Sequence, residues 1–225
     1  MVPARQARKD FRSLQDFGKK LDHQFYQRPA IELAPDLLGK ILVRQVRGRT
    51  GRAYRARIVE TEAYVGVHDL ACHASKGRTR RTEVMFGSGG YAYVYFIYGM
   101  YSMLNIVASV EGEAQAVLIR AGEPLDNWKA DLSGPGKLTR AMRITCADNG
   151  TDLTGTEIFL LDDPTYQPVI ATTKRIGVDY AQEWTDALLR FVDLNSRAVS
   201  QGPNSKIEIR NAKSKINHGS HGIGG

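Results

Sequence analysis

Two short stretches restrict this chain more than any other. Residues 56–64 read Ala-Arg-Ile-Val-Glu-Thr-Glu-Ala-Tyr, and residues 91–105 read Tyr-Ala-Tyr-Val-Tyr-Phe-Ile-Tyr-Gly-Met-Tyr-Ser-Met-Leu-Asn. The first reads as a strand and the second as a tyrosine-loaded hairpin with Gly99 at its turn. A strand sends alternate side chains to opposite faces, so Glu60, Glu62 and Tyr64 are expected on one face. A carboxylate two positions from an aromatic ring, in a basic protein, points to a base-stacking pocket with a general base at its floor.

At 225 residues the chain suits one well-buried domain. Its 42% hydrophobic and 24% charged residues are ordinary for a globular protein, but a formal net charge of +7 is not. A basic surface favours a polyanionic partner, with nucleic acid first and an anionic membrane surface second. Cys72 and Cys146 are the only cysteines, which excludes a disulfide framework or zinc finger and fits a reducing compartment. No apolar run approaches the roughly 20 residues of a membrane span. Arg5, Arg8 and Lys9 precede no apolar segment, so a secretory signal is not expected. The expectation is an intracellular protein, in cytoplasm or nucleoid if bacterial and in the nucleus if eukaryotic.

Three parts are expected: a loose basic arm over 1–24, a folded domain over 25–199, and a flexible polar basic tail over 200–225. Residues 31–38, with Gly39 behind them, predict a short helix stopped by glycine. Strands are expected at 40–46, 54–64, 91–97, 101–109, 116–121, 157–161 and 188–192, and a second helix at 135–147. Residues 65–90 have no period and hold five glycines, the pattern of a long functional loop. Strands and dispersed helices without a βαβ rhythm argue for an α+β fold.

Several residues could carry chemistry. Glu60 and Glu62 would repel each other if both were buried and ionised. Either they mark a general base or they decorate an exposed strand edge. His68 and His73 could join them as metal ligands, although the spacing matches no standard metal motif. Lys76-Gly77-Arg78-Thr79-Arg80-Arg81 packs four cations into six positions, which suits phosphate contacts as well as a solvated loop. Tyr91, Tyr93, Tyr95, Tyr98 and Tyr101 crowd into eleven positions. Most strand tyrosines pack with one wet end, but Tyr98-Gly99-Met100 falls at the turn. A bulky ring at an exposed tip suits a wedge of the kind that minor-groove binders insert between base steps.

These residues resemble a known family. The strings 57–64, Met85-Phe86, Tyr93-Val94-Tyr95 with Tyr98-Gly99-Met100, Ala116 to Ala121, Ser133 to Leu138 and Arg175 to Tyr180 are similar, in order, to the alkyladenine (3-methyladenine) DNA glycosylases. The resemblance implies a single mixed domain around a curved antiparallel sheet, with surrounding helices and a protruding β-hairpin that enters DNA. It implies Glu62 as the base that activates water and Arg120 as the residue that holds that water and the carboxylate. Tyr64, His73, Tyr95, Asn105 and Leu118 would form the base pocket, Asn105 discouraging normal guanine. Tyr98 and Met100 would intercalate, with Lys76, Arg78, Arg80, Arg81 and Lys137 as candidate phosphate contacts. The implied partner is double-stranded DNA approached through the minor groove by a monomer, with no membrane, cofactor or metal. The implied reaction hydrolyses the N-glycosidic bond of alkylated purines, with deaminated purines as a second candidate class, without strand cleavage. Two rivals stand beside it: a non-catalytic nucleic-acid-binding module of the same fold, and a metal-dependent hydrolase built on Glu60, Glu62, His68 and His73.

Overall fold

A computed structural model describes residues 18–46, 52–126 and 128–200. Helices α1 (His23–Tyr26) and α2 (Ala30–Asp36) lead into strands β1 (Ile41–Gln45) and β2 (Ala53–Tyr64). The hairpin β3 (Ala92–Ile97) and β4 (Tyr101–Ala108) is followed by β5 (Gln115–Pro124) and helix α3 (Pro135–Met142). Three short strands close the chain: β6 (Ile158–Leu161), β7 (Ile170–Thr173) and β8 (Arg190–Asp193).

All eight strands form one antiparallel sheet, ordered β3-β4-β5-β2-β1-β6, with β8 joining β2 to β7. The fold is α+β, a single domain with a curled sheet and few helices. Long β2 is its axis. On one side β2 pairs with β5 along most of its length; on the other it pairs first with β1 and then, at Glu60–Glu62, with β8. The change of partner coincides with a bulge, where the β2–β5 register shifts between Ile58 and Thr61. Bulges bend the strand and raise its twist, which helps the sheet curl.

Alternation along β3, β4 and β5 divides the buried residues between two faces. Val94, Leu104, Ile106, Val117 and Ile119 join the main core with Leu33 and Leu37 near α2 and with Leu138 and Met142 of α3. Tyr93, Val107 and Ala116, one position out of phase, pack with Cys72 and Met85 from the 65–90 segment. This part of the sheet is therefore covered on both faces, by helices on one and by a loop on the other. Removing each large aliphatic side chain from water contributes roughly 1.5–3 kcal/mol, so both covers are firmly held. Gly136 lets α3 approach β4 closely, because a Cβ there would lie 2.6 Å from Cδ1 of Tyr101.

The helix expected at 135–147 stops at Met142. Arg143 takes a left-handed backbone (φ 57°), and a separate 3₁₀ turn follows at Cys146–Asp148. The 65–90 segment contains 3₁₀ turns at His73–Lys76 and Glu83–Phe86. Strand β7 had no sequence signal, since Ile-Ala-Thr-Thr is short and half exposed. The end of the expected arm lies along β6: Gly18 and Leu21 donate to the carbonyls of Asp162 and Leu160 at 2.9 and 3.0 Å. Residues 1–17, most of the expected tail and residues 47–51 lie outside the described residues.

Candidate active site

The loop-covered face of the sheet carries a cavity of about 290 Å³. Period-2 geometry explains its walls. Tyr93, Tyr95 and Ile97 of β3, Met103 and Asn105 of β4, and Leu118 and Arg120 of β5 all point the same way. Glu62 and Tyr64 sit opposite Leu118 and Ala116 across the β2–β5 pairing and so share that face. His73 and Cys72 come down from the covering loop, and Ile176, Gly177, Val178 and Tyr180 close the mouth.

Glu62 is fully buried beneath this cavity. Its Oε2 accepts from the Tyr64 hydroxyl at 3.0 Å, and its Oε1 from the Ile176 backbone N–H at 2.8 Å. The Arg120 guanidinium lies 3.3 Å from the same Oε1. Burial, then Glu62, raises the Tyr64 hydroxyl well above its ordinary value, so it remains a donor. Burial opposes charge on Arg120, but Glu62 and Glu60 outweigh it and hold the guanidinium above its usual value.

Glu60 is equally buried, so neither glutamate decorates an exposed edge. Two buried carboxylates on one strand are tolerated because arginines meet them. Arg120 Nε and Arg190 Nε donate to Glu60 Oε1 at 2.9 and 2.6 Å. The Ser200 hydroxyl adds a third bond at 2.7 Å, and its N–H donates to Oε2.

The aromatic walls are cross-braced. The His73 ring meets Tyr95 edge-on at 4.5 Å between centroids, and its Nδ1 lies 2.9 Å from the Tyr93 hydroxyl. Burial, reinforced by Arg81 and Lys76, lowers His73 to about 4, so the ring is neutral at physiological pH. Arg81 NH2 lies 3.5 Å from Nε2, which makes Nε2 the acceptor and leaves the proton on Nδ1. Tyr64 is backed by Arg175, whose guanidinium carbon lies 4.9 Å from the ring centroid. Arg175 in turn forms a fully buried forked pair with Asp69, whose carboxylate also accepts from the N–H groups of Val65 and Ala71. Burial pushes the Cys72 thiol up to about 11, so it serves as wall and not as nucleophile.

Beside the cavity the β3–β4 hairpin ends in a tip that touches little. Tyr98 is 80% exposed and Met100 67% exposed. Tyr98 and Gly99 both have left-handed backbones, φ 54° and 65°, closed by a bond from Met100 N–H to the Ile97 carbonyl. Left-handed geometry costs a bulky residue on the order of 1–2 kcal/mol.

A methylpurine-DNA glycosylase family model matches residues 24–197. The chain belongs to that family. A Legionella pneumophila (strain Lens) protein is 50% identical over 188 residues, covering 81% of this chain and 99% of its own. A Methanocella arvoryzae protein is 50% identical over 198 residues, covering 80% and 96%. An Anaeromyxobacter protein is 46% identical over 192 residues, covering 85% and 97%. All three carry the provisional name 3-methyladenine DNA glycosylase. The protein is a DNA glycosylase of the methylpurine family and, as such, a DNA-binding protein. Among the described residues no helix is long and apolar enough to cross a membrane.

The residues expected at the site are gathered as follows. Tyr64, His73, Tyr95, Asn105, Leu118 and Arg120 line the cavity together with Tyr98; Glu62 does not line it but lies buried directly behind, against the lining residues Tyr64, Ile176 and Arg120. Met100 stands at the tip, outside the cavity. The five cations are exposed but not equivalent. Arg78 pairs with Glu83 at 3.2 Å, Lys137 with Asp131 at 2.8 Å, and Arg81 lies 4.9 Å over the Tyr95 ring. Lys76 and Arg80 face solvent. His68 is exposed and stands apart from Glu60 and Glu62. Among the described residues no group of three histidine, cysteine or acidic side chains could hold a metal ion.

Sequence reasoning assigned no role to Arg175, Ile176, Arg190 or Ser200. Arg175 and Ile176 stand in one of the six similar strings, which was the available signal. The Ile176 contact is a backbone N–H and carries no side-chain signature. Ser200 was placed at the start of a solvated tail and is instead buried.

Proposed function

We propose that this glycosylase turns an alkylated purine out of duplex DNA into the cavity and hydrolyses its N-glycosidic bond with water activated by Glu62. The observation that carries the reading is the fully buried Glu62 carboxylate, held on both oxygens by the lining residues Tyr64 and Ile176 directly behind an aromatic cavity, beside an exposed hairpin-tip tyrosine. A cavity of about 290 Å³ sits at the small end of ligand sites, which run roughly 300–1,000 Å³, and suits one flat ring system.

Taking a base out of the stack costs a few kcal/mol, least where damage has weakened its pairing. Stacking on aromatic rings returns roughly 1–3 kcal/mol per base. Tyr64, Tyr95 and neutral His73 add no positive charge, and tyrosine faces attract a cationic alkylated ring over its neutral parent. Tyr98, entering from the minor groove, fills the gap in the stack.

The water oxygen attacks C1′ of the sugar as the bond to the base nitrogen breaks. Glu62 takes the water proton, and the base leaves with the bonding electron pair. The products are free base and an abasic site. Arg120 stays charged beside Glu62, and Tyr64 and the Ile176 N–H fix the carboxylate's orientation. General-base help of about 10²–10⁴-fold suffices, because alkylation already weakens the bond. No lysine lines the cavity among the described residues, which favours hydrolysis without a Schiff base or strand cleavage.

The test is release of bases from methylated duplex DNA by wild type and Glu62→Gln, with chelator present. Release by the wild type alone supports the reading. Equal release by both removes Glu62 from its role, and salt-sensitive DNA binding without release by either favours a binding module.

A further inference from the structure

Glu60 is a second carboxylate that the hydrolytic step does not use, yet it is fully buried behind Glu62. A buried carboxylate is costly unless every lone pair is met. Here four bonds meet the Glu60 carboxylate, and through Glu60 and Ser200 they hold the guanidinium of Arg120. Arg120 Nε donates to Glu60 Oε1 at 2.9 Å, NH2 to the Ser200 hydroxyl at 3.3 Å, and NH1 faces Glu62 Oε1 at 3.3 Å. Ser200 in turn donates its hydroxyl proton to Glu60 Oε1 at 2.7 Å, and its N–H to Oε2. Arg190 of β8 completes the group, with Nε to Glu60 Oε1 at 2.6 Å and NH2 to the Ser200 carbonyl at 3.0 Å.

We infer that Glu60 and Ser200 are positioning residues for Arg120, so that the chain after β8 is a working part of the active site. The inference rests on the glycosylase reading above. Glu60 and Ser200, themselves hydrogen-bonded, hold the Nε/Nη2 edge of the planar guanidinium and leave Nη1 directed at Glu62. A guanidinium is a rigid planar fork, so two bonds on one edge fix the direction of Nη1. Without them nothing fixes the plane of the Arg120 guanidinium relative to Glu62. The bulge in β2 at 58–61 sits where this grip is made, between the β5 and β8 pairings. Arg190 neutralises Glu60, so that Arg120 is not drawn wholly away from Glu62.

The test uses single-turnover base release from a dimethyl-sulfate-methylated duplex with enzyme in excess. It is paired with binding to a duplex carrying a tetrahydrofuran abasic analogue. E60Q is expected to slow release more than tenfold and S200A about three- to tenfold, each with duplex affinity within twofold of wild type. S200T restores the hydroxyl and is expected to return release to within twofold. In an R120A background, E60Q and S200A should cost nothing further, because their effect travels through Arg120. A merely structural role would lower the melting temperature and add its loss to that of R120A. If E60Q does not fold, S200A, which leaves both Glu60–arginine pairs intact, decides with S200T. Wild-type release with S200A at the wild-type rate, or losses additive with R120A, overturns this inference alone. A wild type that releases no base overturns the glycosylase reading and this inference with it.

Discussion

The floor of the cavity and the tip of the hairpin stand on neighbouring parts of the same sheet and are built on opposite principles. At the floor Glu62, Glu60, Arg120, Arg175 and Asp69 are buried, and each is held by two or more partners. At the tip Tyr98 is 80% exposed and strained at φ 54°, and a Cβ on Gly99 would meet nothing within 4 Å. At the floor most of the desolvation cost is met within the folded chain, Arg175 Nε being the exception, so the charges are oriented before any DNA arrives. The tip keeps strain and apolar surface that the folded chain does not relieve. Strained backbone of this kind clusters at functional sites and ligand clamps. On the function proposed above, one region is finished by folding and the other by binding.

That contrast can be broken from either side. The largest effect is expected at the floor. Glu62→Gln keeps an acceptor for the Ile176 N–H but removes the base, so base release should fall about 10²–10⁴-fold while duplex binding changes little. Asp69→Ala leaves the Arg175 charge buried and unpaired behind Tyr64. It should cost about 3–5 kcal/mol in urea unfolding, and a loss below 1 kcal/mol would mean that this wall is not over-determined.

At the tip the same kind of change should move binding and not folding. Tyr98→Ala is expected to weaken duplex binding by about 1–3 kcal/mol, roughly 5- to 150-fold, with the melting temperature unchanged. Tyr98→Gly should raise stability by about 1 kcal/mol, because glycine adopts the left-handed backbone freely. A drop in melting temperature for either variant would make Tyr98 a packing residue.

The smallest effect sharpens the comparison through pH. His73 is held near 4, mainly by burial and then by Arg81 and Lys76, against 6.5 for the free side chain. Below about 6.5 the unfolded chain gains a proton that the folded chain refuses until about 4. Stability from this group therefore falls as pH drops through that window and levels off beneath it. Unfolding at pH 7, 6 and 4.5 should show this slope in wild type, and His73→Gln should flatten it.

Much of the floor was legible in the sequence, because period-2 alternation is a strong rule and most of the site obeys it. Alternation placed Glu62 and Tyr64 on one face; Tyr95, Asn105, Leu118 and Arg120 were reached through the family resemblance, and the strand pairing brings them to that same face. The tip was legible for a different reason: a tyrosine beside a glycine at a hairpin turn has nowhere to hide. What escaped were contacts made without periodicity. The Ile176 N–H is backbone, Arg190 lies in a strand of four residues, and Ser200 follows a turn in a polar stretch. The α3 boundary escaped because Arg143 takes a left-handed backbone that its residue type does not announce.

The most direct measurement compares single-turnover base release from methylated duplex and methylated single strand, for wild type, Glu62→Gln and Tyr98→Ala. Single-stranded substrate needs no extrusion from a stack. Glu62→Gln should lose release on both substrates by a similar factor. Tyr98→Ala should lose it on the duplex and stay near wild type on the single strand. Equal losses on both substrates for Tyr98→Ala, or wild-type release by Glu62→Gln, would contradict the division between a finished floor and a tip completed by DNA.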